Sequence, residues 1–285
     1  MTKNQEDKVG TGIGLAAAKR PSFGAAALPG LRAQSAADTW PLVPATFRNG
    51  APLPSPWEEI FGPMRAGCAD ELVVVGQVGQ SLDGRIATPS GHSHYINGPD
   101  GLEHLHRLRA LVDAVIVGIG TVLADDPQLT VRRVAGPNPA RVVVDPRGRL
   151  PARARILTAD GTERLVVTNH DAELALPSGV ERIPLETDDG HIAPRAILGA
   201  LAARGFRRIL VEGGAQTVSR FLAARCFDRV HIVVAPLILG AGPPAFDLAP
   251  ITRVEEGLRP PVHVHQLGNE VLFDCDLGGQ RRAIG

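Results

Sequence analysis

The chain is poor in the features that announce several classes of protein. Its three cysteines among 285 residues, Cys68, Cys226 and Cys275, have the spacing of neither a disulfide framework nor a zinc knuckle. No uninterrupted apolar run is long enough to span a bilayer, and Met1 to Gly10 is polar, without the apolar stretch of a signal peptide. A reducing, cytoplasmic location is therefore expected. An excess of one charge is also missing: 30 basic residues face 30 acidic ones, so no general attraction to nucleic acid or anionic membrane follows. Aromatics are scarce, with two Trp, one Tyr and eight Phe, so a core must rely on Val, Leu, Ile and Ala. Catalytic signatures are absent as well. There is no Gly-x-Ser-x-Gly and no Gly-Lys-Ser/Thr phosphate loop, and Leu123 stands where a dinucleotide fingerprint beginning at Gly118 needs its third glycine. His92 and His94 find no third ligand at a convincing spacing, so no metal site is expected.

What remains divides into three stretches. Residues 1–69 are rich in Pro, Gly and Ala and lack sustained periodicity, so they read as an irregular extension. Trp40, Phe47, Trp57 and Phe61 argue against complete disorder there, because they can anchor the extension to another surface. Removing it should leave a nucleotide site in the remaining domain intact. Residues 70–277 read as one domain and 278–285 as a tail. Strands are expected at Leu72 to Val78, Val115 to Val117, Arg141 to Val144, Arg164 to Val167 and Arg208 to Val211. Helices fall between several of them, at 99–111, 191–204 and from Ala215 to about Arg225. Strands alternating with helices predict a three-layer α/β domain with a predominantly parallel sheet. Arg229 to Ala235, Val262 to His265 and Glu270 to Cys275 follow without long helices between them, which predicts an antiparallel portion on a mixed sheet.

Three strand exits carry the candidate chemistry. Ile209-Leu210-Val211 ends in Glu212-Gly213-Gly214 before a helix, which suits an anion on the helix N-terminus and a ligand beside the acid. An ordinary β–α turn with a solvated glutamate is the alternative. Gly118 to Pro127 is a second glycine-rich exit, where Asp125 and Asp126 can equally cap a turn. Gly79 to Ala87 is the third, and its Asp83-Gly84 pair reads as a tight turn. On helix 99–111, Leu102, Leu105 and Leu108 form a core stripe, so Arg109 points away from it or along its edge. Arg107 and Arg109 are either solvated or a phosphate clamp, and Arg132 and Arg133 are equal candidates for the clamp.

Together these pieces resemble the reductase domain of bacterial riboflavin-biosynthesis deaminase/reductase proteins. The resemblance rests on Ser81-Leu82-Asp83-Gly84-Arg85-Ile86-Ala87, Ser93-x-Tyr95-Ile96, Arg107-Leu108-Arg109-Ala110, Gly120 to Arg132, Val211-Glu212-Gly213-Gly214 and Ala235-Pro236-x-x-x-Gly240, in that order. It implies a dihydrofolate-reductase-like fold and NADPH-dependent reduction of 5-amino-6-(5-phosphoribosylamino)uracil. It further implies that Ser93, Arg109, Leu129, Arg132 and Glu212 meet the substrate. Gly79, Tyr95, Thr121, Asp125 and the run Gly214, Ala215, Gln216, Thr217, Val218, Ser219 and Arg220 would meet the nucleotide, with Asp125 and Glu212 as the catalytic pair. A homodimer formed through the sheets is implied as well. Two departures stand out. Gln77 replaces the family's lysine, and Pro146 replaces a hydroxyl near the nucleotide, where Arg147 and Arg149 could contact a 2′-phosphate. The His-x-Glu and Pro-Cys-x-x-Cys of the zinc deaminase are absent, so no deamination is expected. A reductase of a related pterin, pyrimidine or secondary-metabolite substrate, or a silent nucleotide-binding protein, are the alternatives.

Overall fold

The computed structural model describes residues 39–94 and 96–284. A nine-stranded sheet organises it. Its strands are β1 (Val73–Ser81), β2 (Ala114–Gly118), β3 (Ala140–Val144), β4 (Arg164–Thr168), β5 (Val180–Pro184), β8 (Arg208–Glu212), β9 (Arg229–Ala235), β10 (Val262–Leu267) and β11 (Glu270–Asp276). They lie in the order β10-β11-β9-β1-β8-β2-β3-β4-β5. The pairs from β9 through β1 to β5 are parallel, while β11 runs antiparallel to both β9 and β10. The predominantly parallel mixed sheet with an antiparallel C-terminal portion is therefore as the sequence predicts. Two elements go beyond it: β5, and a separate hairpin of β6 (Thr187–Asp188) and β7 (His191–Ile192). That hairpin takes the first residues assigned to the helix 191–204, which instead begins at Pro194, where proline's fixed φ suits a first helical turn.

Side-chain alternation sorts the strands' apolar residues onto two faces. On one face Val73, Val75, Val115, Val117, Val143 and Leu210 pack under α3 (Pro99–Leu111). On the other, Val74, Ile116, Val142, Ile209 and Val211 pack against α5 (Pro194–Ala202) and α6 (Ala215–Ala223). The result is three layers. Cys226 is buried in the second core, where it packs as a small apolar filler.

Part of the stretch read as irregular is helical. Short turns at Trp40–Leu42 and Gly62–Met64 flank α1 (Val43–Arg48) and α2 (Trp57–Phe61). Residues 1–38 of that extension lie outside the described residues. Trp40, Phe47, Trp57, Phe61 and Met64 are all buried in the α3-side core. Arg107 of α3 lies over the rings of Trp57 and Trp40, 4.7 and 5.5 Å from their centroids. The Phe61 ring stacks on His104, and His104 stacks on His231 of β9. At the other terminus Arg281 is buried and bonded to Asp70, so the tail is packed down too.

Candidate functional site

Parallel strands deliver their C-terminal ends to one rim of the sheet, and the candidate residues lie along it. In the register of β1 against β8, Gln77 is the partner of Glu212. Both have the parity of Val73, Val75 and Leu210, so both face α3. Leu102, Leu105 and Arg109 recur on α3 at helical spacing and line the same cavity. Arg109 is thus on the face of Leu102 and Leu105, not turned away from it, and it is 5 % exposed. Its Nε and Nη2 donate to Glu212 Oε1 and Oε2, each at 2.7 Å, and Nη1 donates to the Thr130 carbonyl at 3.2 Å. The Arg109 fork is therefore committed within the protein. This corrects the solvated role considered for it, while the side chain remains on the cavity wall. Arg109 orients the carboxylate of Glu212 instead. Arg107, half-buried over the two indoles and bonded to Glu103, is not a solvated face either.

The cavity encloses about 620 Å³. Gln77, Gly79, Ser93, Thr121, Asp125, Leu129, Arg132, Arg133 and Glu212 contribute to its wall, so the candidates from all three strand exits do converge. Ser93 Oγ donates to Asp125 Oδ1 at 3.0 Å, joining the loop after β1 to the end of α4 (Ile119–Asp125). Asp126 adopts a left-handed C-cap conformation with φ +39° and accepts the Arg155 amide. It is a turn residue, while Asp125 faces the cavity. Asp83 holds its own turn, accepting from the Ser81 hydroxyl and the Leu239 and Gly240 amides, which keeps its carboxyl down at about 2. Among the described residues no cluster of His, Cys, Asp or Glu could hold a metal ion.

Arg132 and Arg133 are the cationic part of the wall. Among the described residues no carboxylate pairs with either. Burial, then Arg109 and Arg133 beside it, push the Arg132 guanidinium below its ordinary value. Bringing an anion here would relieve that crowding. His106 accepts the Arg132 amide on Nδ1 at 3.1 Å. Burial and the same arginines push His106 down to about 3, so it stays a neutral acceptor. The sequence reading missed His106. Its place three residues before Arg109 was the available signal.

A second cavity, of about 290 Å³, adjoins the first across Gly120, which lines both. It is bounded by Arg147, Arg149, His191, Gln216, Thr217 and Arg220. The start of α6 lies at the junction. Gly213 has φ +113°, and a Cβ there would come within 2.8 Å of Thr121 Oγ1, so only glycine fits. Gly214 donates its amide to Thr121 at 2.9 Å, and no side chain caps the helix. An extended phosphorylated nucleotide fits this donor set: amides at the α6 start between a cavity of mixed charge and a basic one. Not every residue of the run 214–220 can serve it. Val218 is in the core, and Ser219 is buried with its hydroxyl accepting the Asp247 amide. The helical period turns both away from the cavities. Tyr95 lies outside the described residues.

Comparison with known proteins shows the family of the chain. A family model described as the RibD C-terminal domain matches residues 73–273. The chain belongs to the RibD C-terminal domain family. Among relatives, the riboflavin biosynthesis protein RibD of Aquifex aeolicus is 35% identical over 184 residues, which is 63% of this chain and 50% of that protein. The 2,5-diamino-6-ribosylamino-4(3H)-pyrimidinone 5′-phosphate reductase of Methanothermobacter thermautotrophicus is 38% identical over 175 residues, 59% of this chain and 79% of that one. The crystal structure of a diaminohydroxyphosphoribosylaminopyrimidine deaminase/5-amino-6-(5-phosphoribosylamino)uracil reductase from Thermotoga maritima superimposes with a TM-score of 0.63 at 31% identity, over 72% of this chain and 56% of that one. The chain thus spans about half the length of the RibD protein it matches, and the RibD C-terminal domain match begins at β1, beyond α1 and α2.

Proposed function

We propose that the protein is an NADPH-dependent reductase of riboflavin biosynthesis acting on 5-amino-6-(5-phosphoribosylamino)uracil. The observation that carries this reading is one cavity in which a rigidly held carboxylate, Glu212, faces an unneutralised arginine pair, beside a glycine-rich helix start. When bound, NADPH supplies the hydride that reduces C1′ of the ring-opened ribosylamine, while the adjoining nitrogen takes up a proton. Arg132 and Arg133 hold the substrate phosphate. Glu212 keeps lone pairs for the N–H groups of the pyrimidine while Arg109 fixes its plane. Asp125, tied to Ser93, orients the sugar against the nicotinamide, so its contribution is registration of two reactants. Arg147, Arg149 and Arg220 take the 2′-phosphate, which favours NADPH over NADH. The apolar groove of about 440 Å³ formed by Leu82, Ile232, Val234, Val271 and Phe273 on the sheet supports a homodimer. No helix among the described residues is long and apolar enough to cross a membrane.

A second pyrimidine has equal standing, because the archaeal relative is named for the 2,5-diamino-6-ribosylamino-4(3H)-pyrimidinone 5′-phosphate. The test is an NADPH-oxidation assay with both pyrimidines and with dihydrofolate. Turnover of either phosphoribosylaminopyrimidine supports the reading, and the preferred one fixes the substrate. Turnover of dihydrofolate alone, or of none, overturns it and leaves a related reductase or a silent binder.

A further inference from the structure

The loop 130–138 carries both arginines of the phosphate wall, and it has no regular secondary structure of its own. Four contacts fix its path. At its start Arg109 donates to the Thr130 carbonyl, and His106 accepts the Arg132 amide. At its end Asn138 turns back and accepts the Val131 amide at 2.7 Å. The contact in the middle comes from outside the stretch matched by the family model. The Trp40 indole N–H donates to the Ala135 carbonyl at 2.7 Å. Next to it, Gly136 passes between Ala110 of α3 and Pro44 of α1, so closely that a Cβ would stand 2.5 Å from the Ala110 methyl. Trp40 cannot swing away. It is 3 % exposed, meets the Trp57 ring edge-on at 5.2 Å and lies beneath Arg107.

We infer that Trp40 is a positioning residue for the substrate's phosphate. It holds the far side of the loop so that Arg132 and Arg133, between the His106 and Trp40 anchors, present their guanidinium groups to the cavity despite their mutual repulsion. This rests on the reductase reading for the identity of the ligand, but not for the existence of the anion site. Trp57 supplies an internal control. It belongs to the same ring cluster, yet its indole donates to Thr39 and not to the loop.

The test uses the full chain with Trp40→Phe, which keeps a ring and removes the donor, and with Trp57→Phe. Loss of one buried neutral hydrogen bond corresponds to about a five-fold change in an equilibrium. Trp40→Phe should therefore raise the KM for the phosphorylated pyrimidine, and the Kd for ribose 5-phosphate used alone, about five-fold. kcat and the KM for NADPH should stay within two-fold. Trp57→Phe should lower Tm to a similar extent but leave the ribose 5-phosphate Kd unchanged. If Trp40→Phe does not fold, Trp57→Phe retains Trp40 as the sole tryptophan, since the chain has two, and its emission should change as ribose 5-phosphate binds. Unaltered ribose 5-phosphate affinity in Trp40→Phe overturns the inference. So do equal losses in both variants, a silent Trp40 emission on saturation, or no ribose 5-phosphate binding by the wild type. Failure of the wild type to oxidise NADPH would instead sink the reductase reading, whatever the binding data show.

Discussion

The pairing of Arg109 with Glu212 makes a demanding prediction. Both side chains are about 6 % exposed and share two hydrogen bonds of 2.7 Å. Arg109→Leu leaves the Glu212 carboxylate enclosed without its partner and also strips the Thr130 carbonyl of a donor. Breaking a buried pair from one side costs about 3–5 kcal/mol, because an uncompensated charge remains. For a chain of this size that is roughly 5–8 °C of Tm. The double variant Arg109→Leu/Glu212→Leu removes both charges and fills the space with apolar groups, which is close to neutral in many buried pairs. It should therefore recover most of the lost stability, to within about 1–2 kcal/mol of wild type. Activity should not follow stability, because the carboxylate is gone in the double variant. The assay is urea unfolding of the wild type, both single variants and the double at pH 7, read as a double-mutant cycle, with NADPH oxidation measured in parallel. A single variant costing less than about 1 kcal/mol would place the pair among solvated surface bridges. A double variant no more stable than Arg109→Leu would equally refute the enclosed-charge account.

Three further outcomes are expected. Glu212→Gln, which keeps the shape but weakens charge-assisted bonds, should lower kcat/KM for the pyrimidine about 10- to 100-fold. NADPH affinity should stay within two-fold, and parallel losses in both would show a collapsed cleft. Arg147→Ala/Arg149→Ala should reduce the NADPH-over-NADH preference at least ten-fold with little effect on NADH itself, and an unchanged ratio would remove these arginines from the nucleotide site. Burial, then the neighbouring His231, holds His104 well below the ordinary imidazole value. The unfolded chain consequently binds this proton first as pH falls. Stability from the neutral His104 is intact above about pH 6.5 and is lost below it, at up to about 1.4 kcal/mol per pH unit. His104→Gln should flatten that acid limb in urea titrations, and an identical slope would mean the imidazole is not enclosed.

The sheet was legible because its central strands are short β-branched runs such as Val73 to Val75 and Val115 to Val117, which suit strands buried on both faces. The edge was less so. β5, Val-Glu-Arg-Ile-Pro, buries only Ile183 well, and the 187–192 hairpin turns on Asp189 and Gly190, both with positive φ. Neither offers a sustained period. At the site, Glu212 and Asp125 could be found as acids at strand and helix exits, because topology alone places them on one rim. The partner of Glu212 could not be found that way. It depends on how α3 docks over β8, although the common spacing of Leu102, Leu105 and Arg109 already held the direction. Trp40 left still less trace: a hydrogen bond spanning 95 residues has no local pattern, and the prolines around it concealed two short helices.

The stacked rings of Phe61, His104 and His231 set a lower bound on any shortened form of this protein. His231 in turn lies 3.2 Å from the buried Asp274 of β11. Cutting the chain at residue 69 would open this column to solvent from one end and strip five large side chains from beneath α3. The residues lining both cavities lie beyond 69, as a nucleotide site that survives removal of the extension requires, but the packing beneath α3 does not, so expression trials aimed at crystals or inhibitors should begin no later than Thr39. A shorter fragment that fails to bind nucleotide would then be reporting a missing roof, not a missing pocket.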